Sequence, residues 1–192
     1  GNTKVKAAVF ELDTIKGAYF FDEIHFFNQL EDILEKHEIT HCILSSVKET
    51  REDFLQELQK IPFFILLDAT TKVPLKNLYS TPTTLGIDRI ALAAAAVSLY
   101  PQKNSLIIDA GTCITYDFVN SNNEYLGGAI SPGIGIRYKS LNEYTSKLPL
   151  LSVSNDFKII GNSTKNAIHS GVINGVIFEI EGFISQYKAI YP

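Results

Sequence analysis

The sequence has little of what marks zinc-binding, membrane or nucleic-acid-binding proteins. It contains two Cys in 192 residues, Cys42 and Cys113, without metal-ligand spacing, so we expect two small core residues and no zinc site or disulfide framework. The longest apolar runs, such as residues 63–67 and 90–97, are far shorter than the roughly 20 residues that span a bilayer. A net charge of −4 without a basic patch argues against nucleic-acid binding.

These absences, together with the lack of a recognisable signal peptide, predict a cytoplasmic protein. The composition is 45% hydrophobic and 20% charged, which allows a substantial buried core. A chain of 192 residues can form one domain or two small lobes.

A candidate phosphate site lies in the middle of the chain. Residues 106–108 are aliphatic and predict a short buried strand, which Asp109 ends. Gly111 and Thr112 then predict a tight turn whose N–H groups can bind an anion, and alternation over residues 114–119 predicts a second strand. The interpretation is a hairpin whose tip offers a carboxylate to a cation and amides to a phosphate.

The beginning of the chain repeats part of this pattern. Gly1, Asn2 and Thr3 precede an apolar strand over residues 4–10, as in the second half of another Gly-Thr hairpin. Two such hairpins about a hundred residues apart suggest a duplicated, two-lobed protein with nucleotide phosphates between the lobes.

The remaining elements alternate between helix and strand. Helices are predicted over residues 22–35, after a capping box at Thr50, over residues 90–99, and from about Ile134 and Thr164. Strands are predicted over residues 41–47 and 63–69, and a third strand of the second lobe runs through Ile130. The first lobe therefore fits an α/β fold of the ribonuclease H-like kind.

Together, these motifs resemble the type III pantothenate kinases of the acetate and sugar kinase (actin-like ATPase) superfamily, which make 4′-phosphopantothenate at the start of coenzyme A synthesis. The resemblance extends from Gly1 to about Ile184. The motifs that carry it are Gly-Asn-Thr at residue 1, Gly-x-Asp-Arg at 86, Asp-x-Gly-Thr at 109, Gly-Gly-x-Ile-x-Pro-Gly at 127, Lys-Leu-Pro at 147 and Gly-x-x-Thr at 161.

The resemblance implies a duplicated two-lobed fold that is truncated at both ends. The expected parts are an N-terminal ribonuclease H-like lobe over residues 1–85, a connecting helix over 86–104 and an incomplete C-terminal ribonuclease H-like lobe over 105–192. Family members begin with an Asp two residues before Gly1 and continue past Pro192 with a strand and a Gly-Gly turn near the adenosine. We therefore expect both of these edges of the nucleotide site to be missing.

The same resemblance implies the site residues. Asp88 would be the catalytic base and Asp109 the ligand of a monovalent cation, potassium or ammonium, while Mg²⁺ accompanies ATP. The residues expected to bind pantothenate are Tyr79, Gly86, Ile87, Asp88, Arg89 and Thr164. Those expected to bind ATP are Gly1, Asn2, Thr3, Lys4, Val5, Lys6, Gly111 and Thr112. The partners implied are pantothenate, ATP and a second copy of the chain.

Each of these residues also has an ordinary structural interpretation. Asp88 could be a helix N-terminal carboxylate that the macrodipole favours, and Arg89 a surface ion-pair residue. Tyr79 could be a packed aromatic, Thr164 an N-cap, and Asp109 a turn carboxylate bonded to nearby amides.

Gly171 and Gly175 lie four residues apart, so they predict a close helix–helix approach, either within the chain or at a dimer interface. Two other functions stay open: a non-catalytic regulator on the same scaffold, and a kinase for another small hydroxylated acid.

Overall fold

The computed structural model describes residues 4–46, 49–155 and 157–191 of the chain. Within these residues the polypeptide forms eight β-strands and five α-helices, in a mixed α/β architecture. The strands are β1 (Val5–Glu11), β2 (Thr14–Phe21), β3 (His41–Leu44), β4 (Phe63–Leu66), β5 (Lys76–Asn77), β6 (Ser105–Ala110), β7 (Cys113–Val119) and β8 (Glu124–Pro132). The helices are α1 (Phe26–Lys36), α2 (Glu52–Leu58), α3 (Ile87–Leu99), α4 (Ile134–Glu143) and α5 (Thr164–Ile190).

The chain divides into two compact units. The first comprises Gly1–Lys72 and Thr83–Ala91, and the second comprises Val73–Pro82 and Leu92–Pro192. The predicted α/β class is confirmed, whereas the predicted boundaries at residues 85 and 105 stay predictions.

The first unit contains an antiparallel hairpin and a parallel strand pair. β1 pairs with β2, and β3 pairs with β4. The rings of Phe26 in α1 and Phe54 in α2 stack with centroids 3.8 Å apart, and Ile33 is buried in the same core. Phe26 and Ile33 lie seven residues apart, about two helical turns, so they share the apolar face of α1.

The start of α2 corrects one prediction. Thr50 does not cap this helix: Arg51 is the N-cap residue and makes no side-chain cap hydrogen bond. The Asp53 carboxylate instead accepts the Phe54 N–H at 3.0 Å and two bonds from the Arg51 guanidinium. An ion pair within the first turn has therefore replaced the predicted capping box, and it lowers the pKa of Asp53.

The second unit is built on a four-stranded sheet in the order β5-β8-β7-β6. The β6–β7 hairpin and the β7–β8 pair are antiparallel, and β5 adds two parallel residues to the edge. Val176 of α5 joins Ile114 and Tyr116 of β7 in one buried cluster, while Tyr138 of α4 belongs to another. The core of this unit thus lies between the sheet and its two helices.

Helix α5 is more apolar than the lengths of the continuous apolar runs in the sequence suggest. Its 27 residues are long and apolar enough to cross a membrane, although one such helix is weak evidence and a third of its most apolar window is buried in the protein. Glu179 and Glu181 interrupt the apolar positions, so no continuous run is visible in the sequence. Here α5 packs on the sheet of its own unit.

The structure corrects the core prediction for Cys113 and narrows the prediction for Gly171 and Gly175. Cys113 is exposed, because it begins β7 directly after the hairpin turn, while Cys42 is half-buried and burial raises the pKa of its thiol. A Cβ atom placed on Gly171 or Gly175 would meet nothing within 4 Å, so these glycines make no close internal helix contact among the described residues.

Candidate active site

The hairpin between β6 and β7 presents the predicted phosphate turn. Asp109 lies opposite Thr115 near the end of the ladder, and the Gly111 N–H donates to the Cys113 carbonyl at 2.9 Å. Asp109, Gly111 and Thr112 are exposed at the tip. The residue types were sufficient to predict this hairpin, but β7 is not the half-buried strand that their alternation indicates, because residues 116–119 are all buried.

The carboxylate of Asp109 makes no hydrogen bond or ion pair with another residue in the described part of the chain. The interpretation as a turn carboxylate bonded to nearby amides is therefore wrong for this structure. An exposed carboxylate with all its lone pairs available fits a hard cation, which prefers oxygen ligands. No group of three or more His, Cys, Asp or Glu side chains assembles among the described residues, so any cation here needs further ligands from backbone, water or substrate.

The start of α4 packs directly against this turn. The Gly133 N–H donates to the Thr112 carbonyl at 3.0 Å, and Gly133 is the N-cap of α4. This confirms the prediction that Pro132 and Gly133 precede a helix. Free N–H groups and the positive end of the helix dipole thus lie beside the turn that is predicted to hold phosphate.

The Gly86–Arg89 segment forms the first turn of α3. The Asp88 carboxylate is exposed and accepts the Arg89 N–H at 2.9 Å, while the Gly86 carbonyl accepts the same N–H at 3.1 Å. A Cβ atom on Gly86 would lie 2.6 Å from Oδ1 of Asp88, which real Cβ contacts essentially never approach. The glycine therefore makes room for the carboxylate, and Ile87 beside it is half-buried.

Arg89 differs from its predicted surface interpretation, because only 6% of the residue is exposed. A buried guanidinium is stable only where its donors are satisfied, and Arg is suited to hold a carboxylate with two parallel bonds. The structure thus places the buried Arg89 and the exposed carboxylate of Asp88 in the same turn of α3. Arg89 was found by its motif, but nothing local in the sequence indicated its burial.

Tyr79 belongs to the second unit, where the β5 segment holds it against β8. Its N–H donates to Oδ1 of Asn77 at 2.9 Å. Its ring lies 6.1 Å from the Tyr125 ring, and a Cβ on Gly127 would lie 3.1 Å from it. The Tyr125 hydroxyl donates to the fully buried Asp117 at 2.5 Å. Tyr79 therefore packs against Tyr125 and Gly127 but stays half-exposed. The two interpretations, a packed aromatic and a contact to substrate, are compatible.

Thr164 is the first residue of α5 and is exposed. The N-cap is Ser163, whose side chain accepts the Asn166 N–H at 3.2 Å. The alternative interpretation of Thr164 as the cap is wrong, and its hydroxyl stays available for another role.

Three of the residues predicted to bind ATP lie at or next to the start of β1. Lys4, Val5 and Lys6 line a cavity of about 120 Å³ in the first unit, together with Ser45 and Ser46 at the end of β3. The predicted residues Gly1, Asn2 and Thr3 lie outside the described part of the chain. Ser45 and Ser46 were missed by sequence reasoning, although polar residues after a parallel strand are a usual signal of a binding site.

A polar network lies beneath the hairpin. The Tyr116 hydroxyl donates to Glu179 at 2.8 Å, and Arg137 pairs with the same carboxylate at 2.6 Å. Burial, the hydrogen bond to Glu179 and its charge raise the pKa of Tyr116 to about 12. Burial alone would raise the pKa of Glu179, but hydrogen bonds from Arg137, Ser131 and Tyr116 and the charge of Arg137 lower it. Tyr116 thus donates to an ionised Glu179 at neutral pH.

This mixed α/β chain has a Gly-Thr turn that is predicted to bind phosphate and a carboxylate at a helix start, features that suit a phosphotransferase. Its sequence matches the profile of the type III pantothenate kinase family over residues 1–186. The type III pantothenate kinase of Flavobacterium johnsoniae is 45% identical over 98% of this chain and 78% of its own length. That of Bacteroides fragilis is 40% identical over the whole chain and 79% of its own length. The chain therefore belongs to the type III pantothenate kinase family.

A solved structure shows a similar fold. The crystal structure of a protein described as a Baf family transcriptional activator from Campylobacter jejuni matches with a TM-score of 0.54 and 23% identity. The match covers 94% of this chain and 75% of that one. At this identity the similarity concerns the fold alone.

Proposed function

We propose that this chain catalyses the ATP-dependent phosphorylation of the 4′-hydroxyl of pantothenate, the first step of coenzyme A synthesis. Membership of the type III pantothenate kinase family makes it an enzyme, a kinase with an alcohol acceptor. The observation that carries the proposal at the level of the site is the Gly86–Arg89 turn, which presents an exposed Asp88 carboxylate at the start of α3.

Asp88 is proposed to orient the pantothenate hydroxyl and to take its proton as the hydroxyl oxygen attacks the γ-phosphorus. The reaction demands little basicity of this carboxylate, because phosphoryl transfer passes through a loose transition state in which positioning and neutralisation of charge contribute most. Arg89, Tyr79 and Thr164 are proposed to hold the rest of pantothenate.

The start of β1 and the turn at Gly111 and Thr112 are each proposed to bind the phosphates of ATP. The lining of the β1 cavity by Lys4 and Lys6 and the exposed hairpin tip support this assignment. A kinase of this family uses ATP with a divalent cation. Asp109 is proposed to hold a monovalent cation, potassium or ammonium, which would offset the repulsion between its carboxylate and the phosphates.

The proposal extends to the fold of the two units and to the oligomeric state. The two units are proposed to be the lobes of a duplicated ribonuclease H-like fold, in a cytoplasmic homodimer. The open space beside Gly171 and Gly175 supports a dimer, because a second copy could approach the backbone of α5 there. Thr164 would then serve either its own site or that of the partner.

The test is a coupled assay of ADP release with the purified full-length protein, ATP and Mg²⁺, with and without pantothenate. We expect ADP release to depend on pantothenate. Equal release with and without it would contradict the substrate assignment, and release that depends on another small hydroxylated acid would support that alternative. A regulatory protein without activity is not favoured, since the named relatives are kinases.

A further inference from the structure

The position of the β6–β7 turn depends on the backbone of Gly133. A Cβ atom on Gly133 would lie 2.3 Å from the Gly111 carbonyl oxygen and 2.4 Å from that of Thr112. Both neighbours are backbone atoms of the turn, so they cannot rotate away as a flexible side chain would. The turn and the start of α4 therefore move together, and whatever fixes Gly133 also fixes Gly111 and Thr112.

Arg137 fixes the backbone immediately before Gly133. Its Nε donates to the Pro132 carbonyl at 2.7 Å and its Nη2 donates to the Ser131 hydroxyl at 2.7 Å. The guanidinium is planar, so its donors keep a fixed geometry in which they can bond to both residues at once. The backbone N–H of Arg137 also donates to the Gly133 carbonyl at 3.0 Å, within the first turn of α4.

Glu179 holds Arg137 in turn. Its carboxylate accepts from Nη2 of Arg137 at 2.6 Å and from the Tyr116 hydroxyl at 2.8 Å. The two charged side chains are only 20% and 24% exposed, so water screens their interaction less than it would at the surface. The Tyr116 ring is itself fixed by stacking on Phe183 of α5, with ring centroids 4.0 Å apart. One carboxylate thus connects β7, the β8–α4 junction and α5.

We propose that Arg137, Glu179 and Tyr116 are positioning residues that hold Gly133 against the turn at Gly111 and Thr112 and thereby set the affinity for ATP. This inference rests on the proposed function, in which that turn contacts the phosphates of ATP. None of the three side chains needs to touch the nucleotide. Their effect is on the arrangement of the amides that do.

The central experiment compares Glu179→Gln with Glu181→Gln, a neutralisation at an exposed position of the same helix. Glu179→Gln keeps the shape of the side chain and removes the charge that holds Arg137. We expect the KM for ATP to rise about tenfold, because the loss of one charged hydrogen bond typically has an effect of this size. The KM for pantothenate and kcat should change by less than about twofold, since Asp88 and its neighbours are untouched.

Two further variants separate positioning from general loss of structure. Tyr116→Phe keeps the ring and removes one hydrogen bond, so it should raise the KM for ATP by a smaller factor and is useful even if Glu179→Gln folds poorly. Arg137→Lys keeps the charge without the fork and should give an intermediate KM. A parallel rise in both KM values, or the same KM for ATP in Glu179→Gln and Glu181→Gln, would overturn the inference.

Direct titration with a non-hydrolysable ATP analogue keeps this test separate from the test of function. If Glu179→Gln weakens binding of the analogue, the network sets nucleotide affinity even where ADP release proves not to depend on pantothenate. If the analogue binds Glu179→Gln and the parent chain with the same Kd, the inference is wrong while the kinase function can still hold.

Discussion

The Asp88→Asn variant tests whether Asp88 acts as a base or only as part of a helix start. The change keeps a side-chain oxygen that can accept the Arg89 N–H, a bond of 2.9 Å in the parent chain. The first turn of α3 should therefore be preserved, and only proton acceptance is lost. General base catalysis contributes roughly 10²- to 10⁴-fold, which corresponds to about 2.7–5.4 kcal/mol of transition-state stabilisation.

We expect kcat of Asp88→Asn to fall within that range, towards its lower end because the transition state is loose. The assay is steady-state ADP release with saturating pantothenate, together with titration of the ATP analogue, whose Kd should change little. Glu52→Gln is the matched control, since Glu52 is an exposed acid in the first turn of α2 in the same unit. Turnover within about threefold of the parent enzyme would show that Asp88 is only a helix-start carboxylate.

A second variant tests the position of the same carboxylate without removing it. The Cβ of Gly86→Ala would lie 2.6 Å from Oδ1 of Asp88, so the carboxylate must rotate away. The displaced atom is the end of a flexible side chain, and stability should change little. If Asp88 must meet the hydroxyl in one geometry, kcat should fall at least about tenfold. Unchanged kcat in a folded Gly86→Ala protein would contradict that requirement.

Three further predictions concern the second unit. Asp109→Asn should be slow in both sodium and potassium buffers of equal ionic strength, whereas the parent enzyme should be faster in potassium; equal parent rates would refute the cation role. Tyr79→Leu should raise the KM for pantothenate and leave the KM for ATP unchanged, and a change in ATP alone would contradict the assignment. Because the pKa of Glu179 is lowered on folding, its stabilising effect is present above its unfolded pKa of about 4.3 and is lost as the pH falls through the folded value. The difference in melting temperature between the parent and Glu179→Gln should therefore shrink as the pH falls below about 4.3, and a constant difference would contradict this.

The sequence was most informative where one short segment determines its own structure. The strands around Asp109 follow from alternation, and the helix that begins at Thr164 follows from its apolar spacing and polar start. Gly133 was assigned to a helix start correctly from the Pro-Gly pair. Each of these signals depends on neighbours within a few residues, which is the range over which backbone preference and capping act.

Some predictions failed because one local interaction replaced another, and others because the partner lies far away in the sequence. The capping box at Thr50 gave way to the pairing of Arg51 with Asp53, and Cys113 is exposed because it directly follows a turn. Arg89 is buried, although arginine is more often a surface ion-pair residue. Arg137 and Glu179 lie 42 residues apart, so no local pattern could pair them.

Helix α5 carries both Thr164, which is proposed to contact pantothenate, and Glu179, which belongs to the network proposed to set the affinity for ATP. Thr164 begins the helix and Glu179 lies fifteen residues later, a separation of about 22 Å along the axis at 1.5 Å per residue. Perturbations at sites farther apart than about 10 Å, without shared partners, usually add independently. The helix therefore fixes both residues in one unit while a change at Glu179 leaves Thr164 in place, so nucleotide affinity can be altered without altering the first turn of α5.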